Sequence, residues 1–119
     1  MADIEESLQK VMSVEGAIGA ALIDSSTGFV FGMAGDELDM QAAGTGGVEL
    51  VRAKIKTVKA LNPDEIIEDI LITMGQQYHI IRPVALEPDL FLYLVLDKSK
   101  SNLAIARLFT ADVGSDIFA

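Results

Sequence analysis

The chain has 119 residues, half of them hydrophobic, with 18 acidic against nine basic side chains, a formal charge of −9 and no cysteine. This length suits one domain of common size and leaves no room for two. Such a domain buries about two-thirds of its unfolded-chain surface and needs no disulfide or metal staple. Without cysteine there is no disulfide framework, thiolate zinc site or thiol nucleophile. The acidic balance argues against a nucleic-acid module, which must neutralise phosphates with a basic face. Apolar runs such as Leu90 to Leu96 fall far short of the roughly 20 residues that cross a bilayer, so no membrane insertion is expected. The acidic N-terminus, Met1 to Glu6, is unlike a secretory signal, and a cytoplasmic location is the expectation.

A mean hydropathy of +0.38 lies on the apolar side for a small soluble protein. Polar groups are few for the surface of a small monomer, so either an apolar face is turned toward a partner or small residues, alanine and glycine, inflate the hydrophobic count without forming a patch.

Ile4, Leu8, Val11 and Met12 repeat at helical spacing, with Asp3 placed as N-cap and Glu5 and Glu6 in the first turn. Gly16 stops this helix. Residues 17–24 and 29–33 read as two strands of a hairpin, joined by the turn chemistry of Ser25, Ser26, Thr27 and Gly28. The longest helical pattern runs from about Glu37 to Leu61, with Asp36, Glu37 and Asp39 read as helix-start acids. Met40, Ala43, Gly47, Leu50, Val51, Ile55, Val58 and Leu61 fall in one apolar arc about 160° wide. Gly44, Gly46 and Gly47 mark either a break or a place where another backbone comes close, because each weakens a helix by up to about 1 kcal/mol relative to alanine. Asn62-Pro63 ends the element.

Residues 65–74 read as a third strand and Tyr78 to Val84 as a fourth. Glu87-Pro88-Asp89 reads as a loop, and Phe91 to Leu96 as a fifth strand covered on both faces. A last helix carries Leu103, Ala104, Arg107 and Leu108. The core is expected over residues 4–110, with a weakly ordered tail at 111–119. Hairpins make the sheet mostly antiparallel, and strands apolar on both faces require helices on both sides. The expected fold is a three-layer α/β/α sandwich on five strands, ordered helix, two strands, helix, three strands, helix.

Little in the sequence reads as catalytic. His79 is the single histidine, and a lone histidine on a strand is usually structural, so no metal or cofactor site is expected. The glycines match neither the dinucleotide fingerprint nor the phosphate loop. The serines lack a neighbouring base. Glu68 and Asp69, on adjacent positions of a strand, would point to opposite faces and could not act as an acid/base pair. Arg52, Lys54, Lys56 and Lys59 carry four of the nine bases within eight residues. They form either a solvated helix face or a docking patch for an acidic surface, with Lys54 inside the apolar arc and its ammonium snorkelling out.

The run Val14 to Asp24 with its Ser/Thr/Gly turn resembles the opening of roadblock domains. So do the Ala/Gly-rich start of the long helix, the third strand leading to Gly75, and Tyr78 to Pro83. Leu92 to Lys98 followed by Asn102 to Arg107 completes the likeness, which covers residues 4–110. Longin and profilin domains share related architecture, and the absence of tryptophan argues against a profilin.

The resemblance implies a non-enzymatic dimer in which the long helices of two protomers pack together and the third strands pair edge to edge. The implied seam runs along Ala43, Gly46, Gly47, Leu50, Val51, Lys54 and Val58 of the helix and Ile66, Glu68, Ile70 and Ile72 of the strand. Members of the family act as scaffolds or regulators of Ras-like small GTPases and as dynein light chains. A GTPase partner is therefore expected, with Arg52, Lys56 and Lys59 as docking bases. The alternative is a small-molecule-sensing or protein-interaction module of similar topology without a GTPase.

Overall fold

The computed structural model describes residues 3–117. Helix α1 (Ile4–Met12) starts where the Asp3 carboxylate accepts the Glu6 N–H at 2.9 Å, satisfying one of the free donors of its first turn. It buries Leu8 and Val11. Gly16, at φ 89°, supplies the left-handed backbone that turns the chain into β1 (Ala17–Asp24). Strand β1 pairs antiparallel with β2 (Val30–Ala34), and a bulge in their ladder inserts Phe31 between Val30 and Gly32.

Helix α2 (Met40–Leu61) is capped by Asp39, which accepts the Ala42 N–H, so of the three candidate acids this one begins the element. Its 22 residues run unbroken through Gly44, Gly46 and Gly47. Asn62 closes it, and residues 62–69 cross to β3 (Ile70–Thr73) as irregular chain. The third strand has four residues where the sequence suggests ten. Pro63, Asp64 and Glu65 favour irregular chain, and Ile66 and Ile67 that follow border a cleft at the end of α2, Ile66 largely exposed, instead of joining the ladder.

Strands β4 (Gln77–Val84) and β5 (Glu87–Asp97) form a hairpin around Ala85 and Leu86, so Glu87-Pro88-Asp89 belongs to β5 and is not a loop. The sheet order is β2-β1-β5-β4-β3, with neighbours antiparallel. Strand β5 is central and buried from Leu90 to Leu96, as a strand apolar on both faces requires.

Two cores flank the sheet. On one face α1 and α3 (Leu103–Asp116) cover Ala20, Leu22, Ile80, Leu92 and Leu94. On the other, α2 covers Ala21, Ile23, Phe91 and Tyr93. This is the three-layer α/β/α sandwich expected from the sequence. The last helix does not end near Thr110. It continues to Asp116, and Val113 and Ile117 are buried under it, so the expected loose tail is core as far as residue 117; residues 118 and 119 lie outside the described residues. In α3, Ala106, Thr110 and Gly114 face inward, where small residues let the helix settle close to the sheet, while Leu108 and Ile105 point outward.

Candidate functional site

Helix α2 does not lie along the middle of the sheet. It packs over β1 and β2, and its side chains reach Phe91 and Tyr93 of β5. Two of its glycines set this distance. A Cβ on Gly44 would fall 2.8 Å from Ile23 Cγ1, and one on Gly47 would fall 2.9 Å from Tyr93 Cε2. The close approach that the glycines provide is therefore to the chain's own sheet. This corrects the placement of Gly47 and Val51 at an intermolecular seam: both are buried inside the protomer.

The flank of α2 that faces away from β2 carries Ala43, Gly46, Leu50, Lys54 and Leu61. Ala43 and Leu50 are half-buried, Gly46 and Lys54 are exposed, and Leu61 is 82% exposed. Beside this flank the β3–β4 half of the same sheet face carries Ile70, Ile72 and His79, each half-covered. Val58 is also half-buried and, with Ile55, Ile66, Ile67, Pro83 and Pro88, lines an apolar cleft of about 120 Å³. Ile66 is nevertheless 75% exposed, and Glu68 is exposed next to it, both on the irregular chain before β3 rather than on a strand. The outer edge of β3 has no strand neighbour. Ala43, Leu50, Lys54, Ile66, Ile70 and Ile72 thus border one incompletely covered trough on this face. It is mainly hydrophobic, with Lys54 and Glu68 as its charged groups.

His79 sits at the floor of this trough. Its Nδ1 is 2.6 Å from Tyr93 Oη and its Nε2 is 2.9 Å from Gln77 Oε1. With the carboxamide oxygen accepting from Nε2–H, the Tyr93 hydroxyl donates to Nδ1, and the neutral ring is fully satisfied. Burial pushes the His79 pKa down and the Tyr93 pKa up, so both groups are held neutral. A histidine held this way positions two strands, in keeping with the structural role expected of it.

The basic residues of α2 separate. The Arg52 guanidinium donates to the carbonyls of Ser25 and Ser26 and so pins the β1–β2 turn. That use of two of its five donors gives Arg52 a structural role in this turn. Lys54, Lys56 and Lys59 are exposed.

No local pattern points to the cluster around Asp69. Its carboxylate, with 9% of the side chain exposed, takes a bidentate pair of hydrogen bonds from Arg107 at 2.8 and 2.9 Å and lies 3.9 Å from Arg82. It ties the start of β3 to α3 and β4. Because Asp69 precedes β3 rather than lying in it, its strand-face argument with Glu68 does not apply. The partners lie 38 residues apart, beyond the reach of local pattern.

No helix among the described residues is long and apolar enough to cross a membrane. No family model matches the sequence, and no curated protein matches it in sequence. The fold does match: the chain has the architecture of a roadblock-type domain. The Roadblock/LC7 domain from Streptomyces avermitilis superposes with a TM-score of 0.83 over 98% of this chain and 96% of that one, at 9% identity. MglB from Myxococcus xanthus gives 0.76 over 98% of each chain, at 15% identity. An MglB with a tetrameric arrangement gives 0.80 over 95% of this chain and 83% of that one, at 19% identity. At such identities the likeness is one of fold.

Proposed function

We propose that this chain is a non-enzymatic, cytoplasmic, homodimeric scaffold that binds a Ras-like small GTPase and biases its nucleotide cycle or its location. The observation that carries the dimer is the trough between the outer flank of α2 and the β3 edge. A second copy related by a twofold axis would lay its own α2 against Ala43, Gly46, Leu50 and Lys54, with Val58 close by. It would pair its β3 with the free edge at Ile70 and Ile72, with Ile66 and Glu68 at the rim. An isologous contact of this kind covers both half-buried surfaces at once. It also closes a strand edge that carries no proline or lysine, its shortness aside. A solved MglB in a tetrameric arrangement shows that a chain of this fold self-associates.

The GTPase reading rests on the resemblance to roadblock domains and on the fold shared with MglB. Lys56 and Lys59, on the outer face of α2, are the docking bases that remain once Arg52 is engaged in its own turn. Regulation would act by favouring one switch conformation of the partner. Any stimulation of hydrolysis would come from positioning the GTPase's own groups, since no arginine here is set apart as a finger. The apolar cleft under the end of α2, at about 120 Å³, is smaller than the roughly 300 Å³ at which small-molecule sites begin, so this cleft does not carry the ligand-sensing alternative.

The test is a pull-down with a Ras-like GTPase from the same organism, loaded with GDP or with a non-hydrolysable GTP analogue. Capture that depends on the nucleotide supports the proposal. Absence of binding to either form at micromolar concentration contradicts it.

A further inference from the structure

The opposite end of the sheet presents a second open edge. Strand β2 has β1 on one side and no strand on the other, and its outer margin holds Phe29, Phe31 and Met33, which are 60%, 44% and 52% exposed. Edge strands normally carry a lysine, a proline or an inward charge to discourage pairing. Val30 to Ala34 has none of these. The bulge at Phe31 is the one guard it has, and it also turns that ring outward, where Phe29 and Phe31 meet edge to face with centroids 4.9 Å apart.

The chain's own core does not cover these groups. The α1 side of β2 is already filled at Gly32, where an added Cβ would lie 2.8 Å from Leu8 Cδ1. Phe31, Gly32 and Met33 line an open cleft with Asp3, Ile4 and Glu5 of the α1 start. Past the Gly35 turn, Asp36 and Glu37 are exposed on the chain that leaves β2. Among the described residues two lysines border this rim, Lys10 beside Asp3 and Glu5 and Lys98 beside Glu37; Lys10 also lies 3.8 Å from Asp116 and Lys98 reaches the Met74 carbonyl at 3.4 Å, so Asp3, Glu5, Asp36 and Glu37 leave the rim net acidic.

We infer that the outer edge of β2 receives an extended segment of a protein partner in which apolar residues alternate with lysine or arginine. The free main chain of β2 would supply strand hydrogen bonds, the aromatic and methionine side chains would take the apolar positions, and the acidic rim would take the bases. A second copy of this chain is disfavoured as the occupant, because it would bring the same acidic rim and its own charge of −9. The β2 and β3 edges lie at opposite ends of the sheet, so this contact is compatible with self-association at β3 and does not depend on it.

The experiment uses the full chain and two short labelled peptides, one alternating valine with lysine and one alternating valine with glutamate. Binding is followed by fluorescence anisotropy and amide hydrogen exchange. The valine/lysine peptide should bind at least about tenfold more tightly at low salt and slow exchange at residues 30–34. Phe31→Ser with Met33→Ser should weaken it about tenfold through lost apolar contact, and Glu5→Lys with Glu37→Lys should remove the preference between peptides. All four positions are solvent-exposed, and circular dichroism checks each variant. Should the serine pair unfold, the lysine pair and the exchange map decide. Equal binding of the two peptides, protection elsewhere than β2, or unchanged affinity in the folded variants would overturn the inference. So would a drop in oligomer size in the serine variant, which would make a second copy the occupant.

Discussion

The Tyr93 hydroxyl and the His79 Nδ1 lie 2.6 Å apart across strands β5 and β4, their ring centroids 5.3 Å apart at an interplanar angle of 68°. Tyr93 also touches α2, since Gly47 leaves its ring the space it occupies. This hydrogen bond therefore links the packing of the long helix to the half-covered side of the sheet.

A pH dependence follows from it. Burial lowers the pKa of His79 below its ordinary 6.5. Between the lowered folded value and 6.5 the unfolded chain binds more protons than the folded one, so stability rises with pH through that window. The contribution is complete above about pH 6.5 and is lost as the pH falls through the folded value. His79→Gln should flatten the change in urea midpoint between about pH 7.5 and about pH 5.5, because the titrating group is gone. An unaltered slope in the variant would show that His79 does not supply it.

Two neighbouring glycines should respond in opposite directions. Gly46 has nothing within 4 Å of an added Cβ in the single chain, so in the Ala43→Glu background, where the proposed partner helix is absent, Gly46→Ala should stabilise the helix by about 1 kcal/mol and raise Tm by roughly 4 °C. Gly47→Ala places a methyl against the Tyr93 ring and should destabilise by about 1–3 kcal/mol through overpacking, with a shift in the tyrosine near-ultraviolet circular dichroism. Thermal melts of the two variants check this directly. A stabilising Gly47→Ala would contradict the packing of α2 on β5.

Asp69 is the shared partner of Arg107 and Arg82. Asp69→Asn keeps the shape and removes the charge, and should cost about 1–2 kcal/mol, since a bidentate and largely buried acceptor contributes more than an exposed ion pair. Local hydrogen exchange should rise in β3 first, because that four-residue edge strand has few other ties to the α3 side. Uniform change across the sheet would show that the cluster does not anchor β3 in particular.

Most of the fold was legible in local pattern. The Asp3 and Asp39 caps, the Gly28 turn and the doubly apolar β5 are short-range features, and each sits where the residues direct it. Where the reading failed, the cause was contact between distant segments. The β-branched run from Glu65 onward has strand propensity, yet Ile66 stays largely exposed, Asp69 is held by Arg107 and Arg82, and only Ile70 to Thr73 joins the ladder. In α3 close sheet contact selects the small side chains of Ala106, Thr110 and Gly114, with Leu103 packed at the rim of the core and Leu108 left exposed. The glycines of α2 were legible as sites of close approach, although nothing local tells whether the approaching surface is the chain's own sheet or another copy. Likewise, the donors of Arg52 are taken up by a turn 26 residues away.

The proposed seam yields a pair of surface variants. Ala43→Glu puts a charge on the outer flank of α2, and Ile70→Lys puts one on the β3 edge. Each should shift the chain from dimer to monomer or to insoluble material, through the cost of burying an unpaired charge. The exposed Lys56→Glu, away from the seam residues on α2, should leave assembly unchanged and weaken only GTPase capture. Loss of assembly in Lys56→Glu, or its retention in both of the other variants, would place the seam elsewhere.

Sedimentation velocity of the purified wild-type chain at low micromolar concentration bears most directly on this account. A species with the mass of two 12.7 kDa chains, split by Ala43→Glu, is the predicted result. A stable, well-folded single chain at that concentration would contradict it, because the α2 flank and the β3 edge would then have no second copy to cover them.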